Sequence, residues 1–222
     1  MSRSRRLTLC KVYEQLLAAH GPRDWWPGDT PFEIMVGAIL TQNTAWTNVE
    51  KAIAALKARD RLTPRAILTA RRDHLAQWIR PSGYFNIKTE RLRQFCRWYL
   101  EQGGWDVLRG RDTARLRQEL LAVKGIGPET ADDMLLYAFE RPVFVIDAYT
   151  RRIFSRLGLV EETEGYETLR AHFEESLGLD VALFNEYHAL IVQHGKEVCR
   201  TRPRCSECVL ARGCAWQAQE SG

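Results

Sequence analysis

Leu120-Leu121-Ala122-Val123-Lys124-Gly125-Ile126-Gly127-Pro128-Glu129-Thr130-Ala131-Asp132-Asp133 is the stretch from which the fold is read. An apolar helical end runs into Gly125-Ile126-Gly127, and Pro128 restarts a helix at the first-turn position, where its missing N–H leaves nothing unsatisfied. The reading is two helices joined by a tight hairpin. Gly125 and Gly127 are free to take positive φ and to let another backbone come close. Their N–H groups, with those opening the next helix, are then able to face a phosphate. On its own the pattern reads first as an ordinary glycine-closed helix turn, because a lone Gly-x-Gly is weak evidence for a ligand.

Working outward from the hairpin, apolar residues recur at helical spacing on both sides. Upstream, helices are predicted over residues 7–19, 32–40, 48–58, 65–70, 72–79, 88–101 and 113–123. Gly21-Pro22 stops the first, and Pro31 opens the second, which is apolar on most faces. Trp25-Trp26-Pro27-Gly28 reads as a loop carrying two large aromatics, and Arg80-Pro81-Ser82-Gly83-Tyr84-Phe85-Asn86 breaks the helical pattern. Downstream, helices are predicted over residues 131–139, 148–157, 166–177 and 182–194, with Asp147 in the N-cap position of the second and Gly158 closing it. No alternating strand pattern competes, so the fold class is all-α.

The chain has 222 residues, 45% hydrophobic and 27% charged, which suits one large or two small globular domains. A net charge of +4 permits a nucleic-acid partner without requiring one. Lysine occurs only at Lys11, Lys51, Lys57, Lys88, Lys124 and Lys196, whereas arginine is abundant. Arginine pairs phosphates in a planar fork but cannot act as a neutral amine nucleophile, so the scarcity of lysine constrains the chemistry. The basic start is followed by Lys11, Glu14 and Gln15, which interrupt any signal-peptide core, and no run is long enough to cross a bilayer. A cytoplasmic protein with reduced or metal-bound cysteines is expected.

Cys199, Cys205, Cys208 and Cys214 make C-x5-C-x2-C-x5-C in a short loop that also carries Arg200, Arg202 and Arg204. Four soft ligands at such spacing suit zinc or a [4Fe-4S] cluster. Spacing alone does not choose between them, although the single close pair, flanked by wider gaps, leans towards the cluster. Cys10 and Cys96 fall on helical patterns and read as core residues.

Hairpin, downstream Asp147 and terminal four-cysteine loop, in this order, resemble the endonuclease III-like branch of the helix-hairpin-helix DNA glycosylases over residues 32–214. Leu40-Thr41-Gln42-Asn43-Thr44, Ser82-Gly83-Tyr84-Phe85-Asn86-Ile87-Lys88, the hairpin itself, Val145-Ile146-Asp147 and His194-Gly195-Lys196 all stand at family-motif positions. The fold this resemblance implies has two domains. One is a six-helix barrel over residues 30–140; the other joins residues 1–29 to 141–222 and holds a [4Fe-4S] cluster. The first cysteine gap is x5, where such enzymes commonly have x6.

The resemblance also implies roles. Enzymes of this kind flip a nucleotide out of the duplex, since the glycosidic bond is unreachable while the base is stacked. Asp147 is implied at that bond, Gln42 and Tyr84 as wedges in the vacated stack, and Asn86 and Lys88 in a phosphate-holding loop. The amides of Gly125 and Gly127 grip the backbone, and Arg200, Arg202 and Arg204 add contacts that position without reading sequence. The implied partner is double-stranded DNA containing a damaged base, bound by a monomer. Each residue has a plainer reading: Asp147 as an N-cap only, Gln42 as a solvated polar group, Tyr84 as a surface packer, the arginines as a solvated loop.

Glu129 stands where the bifunctional endonuclease III type carries a lysine that attacks the sugar and cuts the strand through a Schiff base. A carboxylate cannot form that imine, so monofunctional hydrolysis is expected, with Asp147 stabilising positive charge at the sugar and orienting water. Glu129 also suits the first turn of any helix, by about 0.3 to 1 kcal/mol. A purine alkylated at N3 or N7 is already cationic and leaves without a strong acid, and aromatic faces with carboxylates favour a cation. Trp25, Trp26, Pro27, Trp46, Glu129 and Lys196 are most similar to positions of the 3-methyladenine DNA glycosylase III group. Lys196 is implied near the pocket, with surface exposure as its plainer reading. The expected activity is removal of alkylated purines such as 3-methyladenine. One rival is a glycosylase and lyase acting on oxidised pyrimidines or abasic sites; the other is a non-catalytic binder of DNA structure.

Overall fold

The structure, a computed structural model, describes residues 7–23, 25 and 28–220. Among them are thirteen α-helices and no strand. The chain divides into two compact units, Trp26–Arg141 and the combination of Met1–Trp25 with Pro142–Gly222.

The unit Trp26–Arg141 is built on α2 (Pro31–Leu40). Thr30 caps this helix by accepting from the Glu33 amide at 3.2 Å, Pro31 occupies its first turn, and every residue from Glu33 to Leu40 is buried. A helix buried all round sits at the centre of its unit. Around it come α3 (Trp46–Lys57), α4 (Pro64–Thr69), α5 (Arg72–Trp78), a 3-10 turn (Arg80–Ser82), α6 (Phe85–Glu101), α7 (Trp105–Leu108), α8 (Thr113–Leu121) and α9 (Pro128–Asp133). α9 runs on into a π-helical turn, Met134–Ala138, so the helix expected over 131–139 changes its winding midway. α2 packs on α3, α6, α9 and this turn.

The other unit holds α1 (Leu9–His20), α10 (Ala148–Leu157), α11 (Tyr166–Leu177), α12 (Val181–Glu197) and α13 (Ala215–Glu220). Its core is aromatic. Phe144 lies 4.5 Å from Phe173 and 5.2 Å from Phe184, ring centre to ring centre, and Phe154 lies 4.8 Å from Phe173. Tyr187, also buried, donates its hydroxyl to the Leu9 carbonyl at 2.7 Å and so anchors α1 to α12.

Three expectations need correction. α6 begins at Phe85, not at residue 88, because Tyr84 takes a left-handed conformation and starts the helix early. Asn86 and Lys88 therefore lie on the first turn of a helix rather than in a loop. α7 and α13, of four and six residues, are too short for periodicity to reveal. Cys96 is buried as expected, but Cys10 is exposed.

Candidate functional site

The hairpin joins α8 to α9. Arg117 of α8 grips Asp132 of α9 with a bidentate pair, Nε to Oδ1 at 2.6 Å and Nη2 to Oδ2 at 3.0 Å, and Asp132 is fully buried. Such forked pairing fixes geometry as well as charge. Gly125 has φ of 96°, and a Cβ there would lie 2.5 Å from Cγ of Arg91, so both conformation and space demand glycine. Gly127 differs from the expectation of positive φ. Its φ is −94° with extended ψ, and nothing lies within 4 Å of a Cβ placed on it. Gly127, Pro128 and Glu129 are exposed, so the opening of α9 presents its backbone outward.

Gln42 is the residue most closely tied to the hairpin. Its Nε2 donates to the Gly125 carbonyl at 3.1 Å and to Thr130 Oγ1 at 2.9 Å, while Arg91 Nη1 donates to its Oε1. Donors and acceptor together set the orientation of the amide. Gln42 is thus no merely solvated group. Arg91 and Thr130, which complete this network, carried no signal in the sequence.

Tyr84 is 67% exposed, with φ of 44°, and Ile87 beside it is 53% exposed. A non-glycine residue held left-handed costs of order 1 kcal/mol or more and marks a constrained loop. Asn86 is exposed on the same turn. Lys88 is a correction. Its side chain is 1% exposed, and Nζ donates to the carbonyls of Leu40 at 2.8 Å and Ser82 at 2.5 Å, so the ammonium is committed inside the unit rather than offered to phosphate. Burial pushes its pKa down to about 8, and the charge of Arg91 adds to this. Trp46, half-buried at the start of α3, has its ring 3.2 Å from where a Cβ on Gly37 would be, so that glycine makes room for the indole. Glu129 lies in the first turn of α9.

In the other unit Asp147 caps α10. Its Oδ1 accepts from the Thr150 amide at 2.7 Å and hydroxyl at 2.9 Å, and Oδ2 lies 3.6 Å from His188 Nε2. Burial alone would raise this carboxyl, but His188 and Thr150 outweigh it and hold the group below its ordinary value. With 12% of its side chain exposed, Asp147 is both a cap and an ionised carboxylate open to a small approach. The chain leading to it is fixed by the Phe144 amide on Glu174 Oε1 at 3.0 Å and the Ile146 amide on the Tyr166 hydroxyl at 3.4 Å. Sequence reading missed His188; the available signal was a histidine on the α12 face that buries Phe184, Tyr187 and Ile191. Trp25 is half-buried, Trp26 and Pro27 lie outside the described residues, and Lys196 is exposed at the end of α12.

Cys199, Cys205, Cys208 and Cys214 line one small pocket open to solvent. Burial pushes the Cys208 thiol up, and the charges of Cys199, Cys214 and Cys205 add to the shift, so the four groups feel one another. Arg156 organises the loop. It donates to the carbonyls of Arg200 at 2.6 Å and Thr201 at 3.0 Å and to Cys199 Sγ at 3.4 Å, and its guanidinium lies 5.0 Å from the Trp216 ring centre. His194 Nε2 is 3.5 Å from Cys208 Sγ, with His20 Nε2 behind it at 3.1 Å from Nδ1. Among the described residues no three ligating side chains are drawn to the spacing of a single metal ion. The donor set, four thiols around one cavity with a cation beside it, is chemically suited to a group with four separate coordination points. Arg200, Arg202 and Arg204 are all exposed, and Arg204 lies 3.6 Å from Glu207.

The hairpin and the capped aspartate both fall within a stretch that matches a family of DNA-repair proteins. Residues 36–178 match the family described as HhH-GPD superfamily base excision DNA repair protein, and the chain belongs to it. A Methanocaldococcus jannaschii protein described as a candidate DNA repair glycosylase is 45% identical over 92% of this chain and 94% of its own. Endonuclease III of Thermotoga maritima is 32% identical over 83% of this chain and 82% of its own. The solved structure of H. pylori 3-methyladenine DNA glycosylase bound to 1,N6-ethenoadenine superposes with a TM-score of 0.76 at 29% identity, covering 86% of this chain and 98% of that one. Among the described residues no helix is long and apolar enough to cross a membrane.

Proposed function

We propose that this chain is a monofunctional DNA N-glycosylase that removes alkylated, cationic purines such as 3-methyladenine from duplex DNA. The observation that carries the reading is a carboxylate held ionised at Asp147, combined with a hairpin that offers Glu129 where a lyase needs an amine. Lys124 is exposed but precedes Gly125, in the turn that follows α8.

In the proposed reaction the C1′–N bond breaks and its electron pair leaves with the base, which departs neutral because it entered as a cation. Asp147 stabilises the positive charge left at the sugar. A water oxygen then bonds to C1′, and its proton passes to solvent, leaving an abasic site. The lowered pKa of Asp147 favours this electrostatic role over proton storage. Gln42 and Tyr84 enter the stack, and the hairpin amides take a phosphate. Trp25, Trp26, Pro27, Trp46 and Lys196 remain proposed pocket residues on the strength of the resemblance, and the exposure of Lys196 argues for a place at its rim. The cysteine loop is read as holding a [4Fe-4S] cluster, whose contribution is to fix the loop that carries Arg200, Arg202 and Arg204. The similarity to the H. pylori enzyme supports the alkylpurine substrate. The similarity to endonuclease III supports a second reading, oxidised pyrimidines with strand cleavage.

The test is a panel of duplexes, each with one lesion, assayed for base release with and without alkali. Release of 3-methyladenine, with strand breaks only after alkali, is expected. Release of oxidised pyrimidines with alkali-independent breaks would replace this reading with the second.

A further inference from the structure

Two cations on one face of α6, the buried Lys88 and the half-buried Arg91, connect the loops expected to meet DNA. Leu40 is the last residue of α2, and the final carbonyls of a helix have no partner within it. Ser82 ends the 3-10 turn that leads to Tyr84. Nζ of Lys88 bonds both carbonyls at once, at 2.8 and 2.5 Å, and so joins the chain just before Gln42 to the chain just before Tyr84. Arg91, three residues on and therefore on the same helical face, reaches Gln42 Oε1. Its stem fills the space beside Gly125.

The backbones on either side of these bonds are held unusually. Asn43, next to Gln42, has φ of 54°, and Tyr84 has φ of 44°. Two non-glycine residues stay left-handed only where their surroundings over-determine them. Lys88 fixes the carbonyl two residues before Tyr84, and Arg91 fixes the side chain of the residue before Asn43.

We propose that Lys88 and Arg91 are positioning residues that lock the Gln42 loop, the Tyr84 loop and the hairpin into one preformed surface. This rests on the reading of Gln42 and Tyr84 as the residues that enter the stack. Neither cation touches the reacting atoms; each acts through the loops it ties.

The experiment compares the full chain with Lys88→Met, Arg91→Met and, as a destabilised control in the same unit, Leu116→Ala, whose side chain is fully buried on α8. Hydrogen–deuterium exchange of the free proteins is read first. Lys88→Met is expected to speed exchange about tenfold or more in residues 41–46 and 82–86, and Arg91→Met in 41–46 and 124–127, with the control leaving all three segments slow. Fluorescence of 2-aminopurine beside a stable abasic-site analogue is read second. The lesion-dependent rise is expected to fall about tenfold in both variants, while affinity for undamaged duplex changes less than about threefold. Exchange no faster than in the control, or losses that merely follow the lowered melting temperature, would overturn the proposal. Should Lys88→Met not fold, the part-exposed Arg91→Met decides alone. A wild type without any lesion-dependent fluorescence would remove the reading of the wedges, whereas the exchange data still decide whether the cations lock the loops.

Discussion

Nε2 of His188 on α12 lies 3.6 Å from Oδ2 of Asp147, the residue that caps α10 with its other oxygen. One carboxylate thus serves two purposes, helix cap through Oδ1 and charged group through Oδ2. Asparagine caps helices about as well as aspartate but carries no charge. Asp147→Asn is therefore expected to leave the melting temperature nearly unchanged and to lower base release by about 100-fold or more, as loss of an electrostatic stabiliser does. Single-turnover base release and a thermal melt on the same sample check this. Equal activity in both proteins would reduce Asp147 to a cap.

The pH dependence of Asp147 has a definite sign. Its folded pKa is depressed, so its stabilising contribution is present above the unfolded value, about 3.9, and lost as pH falls through the lower folded value. The urea midpoint of wild type, close to that of Asp147→Asn at neutral pH, is expected to fall below it as pH drops under about 4. Over the same neutral range the rate of base release should show no limb from Asp147 itself. A wild-type midpoint that stays level with that of the variant down to about pH 2 would mean that the carboxyl is not held low.

The two hairpin glycines separate backbone strain from DNA approach. Gly125→Ala meets both a φ of 96° and the Arg91 stem, and is expected to destabilise the fold by about 1 to 3 kcal/mol. Gly127→Ala meets neither and should cost less than about 0.5 kcal/mol. If a phosphate sits against the hairpin, however, the added methyl at 127 should weaken duplex binding several-fold without a change in stability. Denaturant melts and binding titrations at one stated salt concentration distinguish these outcomes.

Glu129 is exposed in the first turn of α9, where a lysine side chain has room. Wild type is expected to give no covalent adduct when incubated with abasic DNA and borohydride, and Glu129→Lys to give a detectable one. Removing an acid from a helix start costs about 0.3 to 1 kcal/mol, which the fold should tolerate. Efficient trapping by wild type would refute the monofunctional reading.

Purified protein is expected to be brown, with about four irons per chain, and Cys208→Ala to lose both colour and iron. Stoichiometric zinc in place of iron would overturn the cluster reading. Loss of the loop should also lower duplex affinity, through Arg200, Arg202 and Arg204, more steeply at low salt than at high.

Much of this was legible in the chain because its signals are local. Pro31, Pro64 and Pro128 each open a helix, and the Thr30, Thr63 and Asp147 caps each accept an amide three residues on. The central burial of α2 follows from an apolar run with no polar face. Gly125 and the four cysteines declare themselves by type and spacing. The misreadings have equally local causes: Tyr84 starts α6 from a left-handed conformation that composition does not announce, and α7 is a single turn.

By itself the sequence determined that the protein is all-helical, where most helices start and stop, that a hairpin precedes a capping aspartate, and that four thiols gather near the end. Caps, breakers and periodicity act within a turn or two of the residue that carries them. Only the tertiary structure decided that Lys88 faces inward to Leu40, 48 residues away, that Gln42 is bound to Gly125 across 83 residues, and that His188 stands beside Asp147. A long polar side chain has the same composition whether it reaches solvent or a buried carbonyl. Which one it finds depends on the packing of helices far apart in the chain.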